Sequence, residues 1–161
     1  MAAPERPGSA LTTPATRRCA PAWVVAPLVP NLGWEVAQLR LYSLGPCSDW
    51  PASGYAVLHC TLGDGVLAFA AYAVAALMTR RPVWPMHRPV AGLASATAAT
   101  VAFTVWSEWR GVCVIGAWAY GPDMPTFRGI GVAPLLQWLA LPPAALWVVR
   151  RHTSRCRRWQ A

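Results

Sequence analysis

Four ionisable side chains, Glu35, His59, Asp64 and Glu108, stand inside or at the ends of long apolar runs. Ionisable groups are costly in hydrocarbon, so a membrane chain that keeps several near one depth has a use for them; structural ion pairing is the competing explanation. Two or three carboxylates and one imidazole can deliver and remove protons, which suits isomerisation or cyclisation of a lipid. A nucleophilic mechanism fits less well. No Ser or Cys stands beside His59 in a recognisable motif, and on a helix Cys60 points about 100° away from it.

Helical spacing says which of these groups can share a face, because residues three and four apart are neighbours. Thr97, Thr100, Thr104 and Glu108 follow steps of three, four and four and form one polar stripe. Small residues flank it at Ala91, Ala94, Ser95, Ala98, Ala99 and Ala102, which permits close approach between membrane helices. His59 and Asp64 lie about 140° apart around their helix, so they flank a face rather than stack. Gly63 and Gly65 leave room there for a neighbouring helix, a ligand or water.

The elements that position these groups are membrane spans. Hydrophobic residues make up 55% of the chain and charged residues 12%, and the mean hydropathy is +0.33; this balance lies outside that of soluble domains. Four candidate spans follow. The first covers Ala20 to Leu39, is interrupted by Pro27 and Pro30, and carries Asn31, Glu35 and Gln38. The second, Tyr55 to Met78, is the clearest. The third starts near Val90 and ends either at Glu108 or as far on as Ala117. The fourth runs from Gly129 to Val149 with Pro134, Pro142 and Pro143 inside it. The expected fold class is an all-α integral membrane four-helix bundle, occupying residues 19–151 between a disordered tail (1–18) and a basic C-terminal tail (152–161).

Arginines set the topology, since short cytoplasmic flanks carry the excess positive charge. Arg6, Arg17 and Arg18 precede the first span, Arg80, Arg81 and Arg88 lie between the second and third, and Arg150, Arg151, Arg155, Arg157 and Arg158 follow the fourth. All three groups fall on one side, which puts both termini in the cytoplasm. A cleaved signal peptide is the rival reading of the N-terminus, with Ala22 to Leu32 as its apolar core; no small-x-small cleavage site accompanies it. The net charge of +8 is explained by these flanks and by anionic headgroups. No nucleic-acid motif is present.

This topology places His59 at ~7 Å and Asp64 at ~15 Å below the outer end of their helix, with Gln137 entering from the same side to ~12 Å. Glu35 and Glu108 share that outer half. The expectation is a polar pocket in the outer leaflet with Glu35, His59, Asp64 and Glu108 as the reacting groups and Gln137 and Thr104 lining it. The competing expectation is that Asp64 pairs with His59 or Arg110 and Glu35 with Gln137 or Gln38, merely holding the bundle together. Trp118, Tyr120 and Met124, in a loop rich in aromatics and turn formers, form either an interfacial belt or a lid over an apolar ligand.

No cofactor and no metal are expected, because His-x-x-x-His and Cys-x-x-Cys pairs are lacking. Of the five cysteines, only Cys47 and Cys113 lie where a disulfide is open to them. The strings Trp34-Glu35-x-x-Gln38-x-x-x-Tyr42, His59-Cys60-x-x-Gly63-Asp64, Ser107-Glu108-Trp109, Trp118-Ala119-Tyr120-x-x-x-Met124-Pro125 and Pro134-Leu135-Leu136-Gln137-Trp138 resemble an uncharacterised family of small four-helix bacterial integral membrane proteins. The resemblance covers residues 30–150 and implies the architecture and the same polar positions, with no activity attached. A looser similarity is to emopamil-binding-type isomerases and heterodimeric lycopene cyclases, which use intramembrane acids.

The functional expectation is a multi-pass protein of a bacterial inner membrane that binds a lipid-like or other small apolar molecule, with proton-transfer chemistry as an extension. A transporter or channel subunit and a non-catalytic assembly partner are the alternatives. Membrane lipid is the expected partner, nucleic acid is not, and the oligomeric state is open.

Overall fold

Proline decides the first feature of the chain. The computed structural model describes residues 19–43 and 50–158; the expected 1–18 tail, Cys47 and residues 159–161 lie outside them. The single first span expected from the sequence is instead two short helices, α1 (Cys19–Val25) and α2 (Leu28–Gln38), with a turn at Ala26-Pro27 between them. Pro27 has no N–H to offer the Trp23 carbonyl, and Pro30 none for Ala26, so the ladder is interrupted. It resumes where the Asn31 N–H donates to the Pro27 carbonyl at 2.7 Å. A 3-10 turn, Leu39–Leu41, ends the segment.

Among the described residues three helices are long and apolar enough to cross a membrane. These are α3 (Trp50–Thr79), α5 (Pro89–Glu108) with its extension, and α6 (Val132–Arg158); a short α4 (Trp84–His87) joins the first two. The sequence left the outer end of the third span open. The chain continues beyond Glu108 as a π-helical stretch, Trp109–Val114, with the Ile115 N–H donating to the Arg110 carbonyl at 3.0 Å. Wide π-turns are rare and cluster at functional positions. At the other end of the chain α6 stays helical to Arg158, through most of the stretch read as a tail.

The first segment packs its polar side inward. On α2, Asn31, Glu35 and Gln38 are buried while Val29, Leu32 and Val36 are exposed. On α3 the exposed line includes Leu58, Leu62, Val66 and Phe69, more than half exposed each. Large apolar side chains facing outward are what lipid contact requires. The most extensive helix contact joins α3 and α5, and the buried residues of α5 include Gly92, Ala96, Thr100 and Thr104. That face is offset from the small residues the sequence singled out, of which Ala91, Ala94, Ala98 and Ala102 are exposed.

An aromatic core fills the end of the bundle nearest α4. Trp23 and Trp84 meet edge to face with centroids 4.9 Å apart, and Tyr72 lies 5.6 Å from Trp84. Gly92 permits this, since a Cβ there would fall inside the Trp84 ring. At the opposite end, residues 115–131 form a loop containing a small hairpin, β1 (Thr126–Phe127) and β2 (Ile130–Gly131), turned by Arg128 and Gly129 at φ 51° and 82°. Positive φ at both turn positions is the geometry whose twist suits a two-residue hairpin.

Candidate functional site

The polar face of α2 continues past its end, because Asn31, Glu35, Gln38 and Tyr42 follow steps of four, three and four. Across from it, α6 supplies Gln137, 2% exposed, and α3 supplies Asp64, half-buried. Gln137 is the hub. Its Nε2 donates toward Asp64 Oδ2 at 2.8 Å, Glu35 Oε1 at 3.1 Å and Asn31 Oδ1 at 3.2 Å. Glu35 Oε1 also accepts from Gln38 Nε2 at 2.8 Å, and Gln38 Oε1 accepts from Trp34 Nε1 at 3.1 Å.

A carboxamide nitrogen carries two hydrogens, so Gln137 cannot serve three acceptors at once. All three acceptors are served only when the two hydrogens go to Asp64 and Asn31 and Glu35 relies on the Gln38 amide. Asn31 is fully buried and its Nδ2 has no hydrogen-bond partner. Among the described residues no arginine or histidine pairs with Glu35, Asp64 or Glu108. The expected pairing of Asp64 with His59 or Arg110 is therefore not made, while that of Glu35 with both Gln137 and Gln38 is.

Glu108 forms a second group near the first, within reach of the Glu35 charge. Tyr120 donates to its Oε2 at 2.6 Å and Tyr42 to its Oε1 at 3.3 Å. The Tyr120 oxygen also accepts from the Gly131 N–H at 2.8 Å. Both phenols are held well above their ordinary pKa. For Tyr42 the causes are burial first and then the Glu108 charge; for Tyr120 they are burial and then its hydrogen bond to Glu108. Both stay protonated donors. The loop is latched to the end of the first segment by an isolated bridge between Tyr42 and Tyr120, with Ser43 N–H on the Ala119 carbonyl and Gly121 N–H on the Leu41 carbonyl, each at 2.8 Å.

Trp118 and Met124 belong to the same loop. Met124 is buried, and the Trp118 ring rests on Gly111, where a Cβ would overlap it. The Trp118 indole N–H is buried near Glu108.

Two of the expected site residues stand apart. His59 is exposed and stacks on Tyr55, itself 70% exposed, with centroids 5.8 Å apart. The buried line of α3 runs through Val57, Thr61, Asp64 and Ala68, and the helical turn carries His59 to the opposite side. Thr104 is buried within the expected stripe, but its hydroxyl donates to the Thr100 carbonyl one turn back at 2.9 Å rather than to the cluster. Asn31 and Tyr42 entered the cluster without being expected as site residues; their regular spacing with Glu35 and Gln38 was the available signal.

Among the described residues no three His, Cys, Asp or Glu side chains are placed to hold a metal ion. Cys113 is an exposed thiol on the π-helical stretch. The chain matches no protein-family model, no curated protein and no solved structure, so no family is identified. What stands is a small helical protein with three candidate membrane spans and one buried polar cluster joining elements far apart in sequence.

Proposed function

We propose that this is a four-pass protein of a bacterial inner membrane, both termini cytoplasmic, whose acid and carboxamide cluster binds the polar group of a lipid-like molecule and exchanges a proton with it. One observation carries the reading: Gln137 Nε2 faces three acceptors with two hydrogens, beside acids that have no cation among the described residues. The positive charge these acids lack is what a ligand ammonium group or a proton would bring. Acids retained in hydrocarbon without an ionic partner belong to binding sites and proton relays more readily than to scaffolding.

The broken first segment supports a fourth crossing. Its two short helices and closing 3-10 turn together would reach at most ~34 Å if set end to end, enough for the hydrocarbon core. Discontinuous helices that turn polar side chains toward neighbours are a recurrent way to build a site inside a membrane. The cover made by Tyr42, Tyr120 and Met124 would admit a ligand from the outer side.

Mass spectrometry of the lipids and metabolites that co-purify with the full chain tests this, comparing the native protein with Glu35→Gln and Asp64→Asn. A molecule held by the native chain and lost from both folded variants is expected. The same complement on all three would end the reading. Acids beside a broken helix also favour proton-coupled transport, which predicts movement of such a molecule across liposome membranes under a pH gradient.

A further inference from the structure

Far from the polar cluster, a groove of about 350 Å³ opens between the start of α5 and the middle turns of α6. Pro89, Val90 and Leu93 form one wall; Leu146, Trp147 and Arg150 form the other. Pro143, Leu146, Trp147 and Arg150 share one face of α6 by spacing, and Pro143, which cannot donate to the Leu139 carbonyl, weakens the helix at the groove's deeper end. The groove is apolar along its length and basic at one end.

Three features gather positive charge at that end. Arg150 lines the groove and uses one N–H on the Pro85 carbonyl at 3.4 Å, out of the five a guanidinium carries. The Arg151 guanidinium lies 3.9 Å from the Trp147 ring centroid. The twenty-residue helix α5 begins at Pro89 with no side-chain cap, so the positive end of its dipole faces the same place. A slot for a hydrocarbon chain that ends in a guanidinium and an uncapped helix start matches one kind of molecule.

We propose that this groove is a binding site for an anionic phospholipid, its acyl chain along Leu93 and Leu146 and its phosphate at Arg150 and the first turn of α5. The site is independent of the polar cluster. Basic pockets between transmembrane helices at the headgroup level are recognised ways of holding such lipids, and one arginine there contributes enough to change anionic preference about fivefold. Trp147, half exposed, fits the interfacial depth at which an indole borders headgroup and chain.

The test is native mass spectrometry of the full chain in micelles doped with equal phosphatidylglycerol and phosphatidylcholine. The native chain is expected to retain phosphatidylglycerol preferentially, Arg150→Gln to lose that preference by about fivefold, and Arg150→Lys to keep most of it. Leu93→Trp, which fills the groove, should reduce retention of both lipids. Arg128→Gln, at the opposite end of the bundle, should change nothing. Equal retention by the native chain and Arg150→Gln would overturn the proposal, as would an equal loss in Arg128→Gln. Glycerol phosphate displacing the lipid as well as phosphatidylglycerol itself does would overturn the acyl part.

Discussion

Gln137→Leu is the sharpest test of the cluster. Leucine is close to glutamine in volume, so packing changes little and the effect isolates the carboxamide. The substitution removes one nitrogen from three acceptors at 2.8, 3.1 and 3.2 Å. Glu35 keeps the Gln38 amide at 2.8 Å, whereas Asp64 Oδ2 and Asn31 Oδ1 lose their donor. A hydrogen bond between membrane helices is worth ~0.6 kcal/mol on average and ~1.7 at most, so two served at a time give ~1–3.5 kcal/mol. The orphaned acceptors keep the value at the upper part of that range. Unfolding of the purified protein by SDS titration, followed by circular dichroism, measures it. The double variant Gln137→Leu with Asp64→Leu should cost less than the sum of the two, because a donor and its acceptor are removed together. A single-variant loss below ~0.5 kcal/mol, or strict additivity in the double variant, would refute the hub geometry.

Further outcomes follow from the same contacts. His59→Ala should leave stability within ~0.5 kcal/mol of the native chain and leave any co-purifying ligand in place, since the imidazole touches only exposed Tyr55; ligand loss would return His59 to the site. Glu108→Gln weakens the acceptor shared by Tyr42 and Tyr120, so hydrogen exchange should speed up together in residues 39–43 and 115–131, and acceleration in only one of them would show that the latch is not shared. The two phenols give alkaline sensitivity: their folded pKa values lie above the ordinary 10.0, so the stability they contribute is complete below that pH and is lost as pH rises beyond it, when only the unfolded chain releases these protons. Unfolding midpoints should fall above about pH 10, and Tyr42→Phe with Tyr120→Phe should flatten that fall.

The three long spans were legible because hydropathy over ~20 residues is a coarse, additive signal that a single proline inside a long run does not erase. The first segment is short and carries Pro27 and Pro30 within one turn of each other, and there local geometry overrides the average; the outcome is two helices. Helix faces were legible where one spacing fixed them. Thr97, Thr100, Thr104 and Glu108 do turn inward, at least half-buried, and Glu35, Asp64 and Gln137 do meet. His59 shares the outer half of the bilayer with Asp64, but each residue turns the helix about 100°, and the line Val57, Thr61, Asp64, Ala68 excludes it.

Tyr42 shows the opposite error. It stands beyond the helical end of its segment, so a search for acids within spans passes over it, although it continues the spacing of Asn31, Glu35 and Gln38. Its partner Tyr120 comes from a loop 78 positions later, and no periodicity links the two; only the bridge between them does so. The consequence is mechanical. Glu108 takes one phenol on each oxygen, and Tyr120 in turn accepts the Gly131 N–H at the foot of α6. Loss of the Glu108 acceptor is therefore expected to loosen the end of the first segment, the loop and the start of α6 together, because these two phenols and one N–H are side-chain links between them.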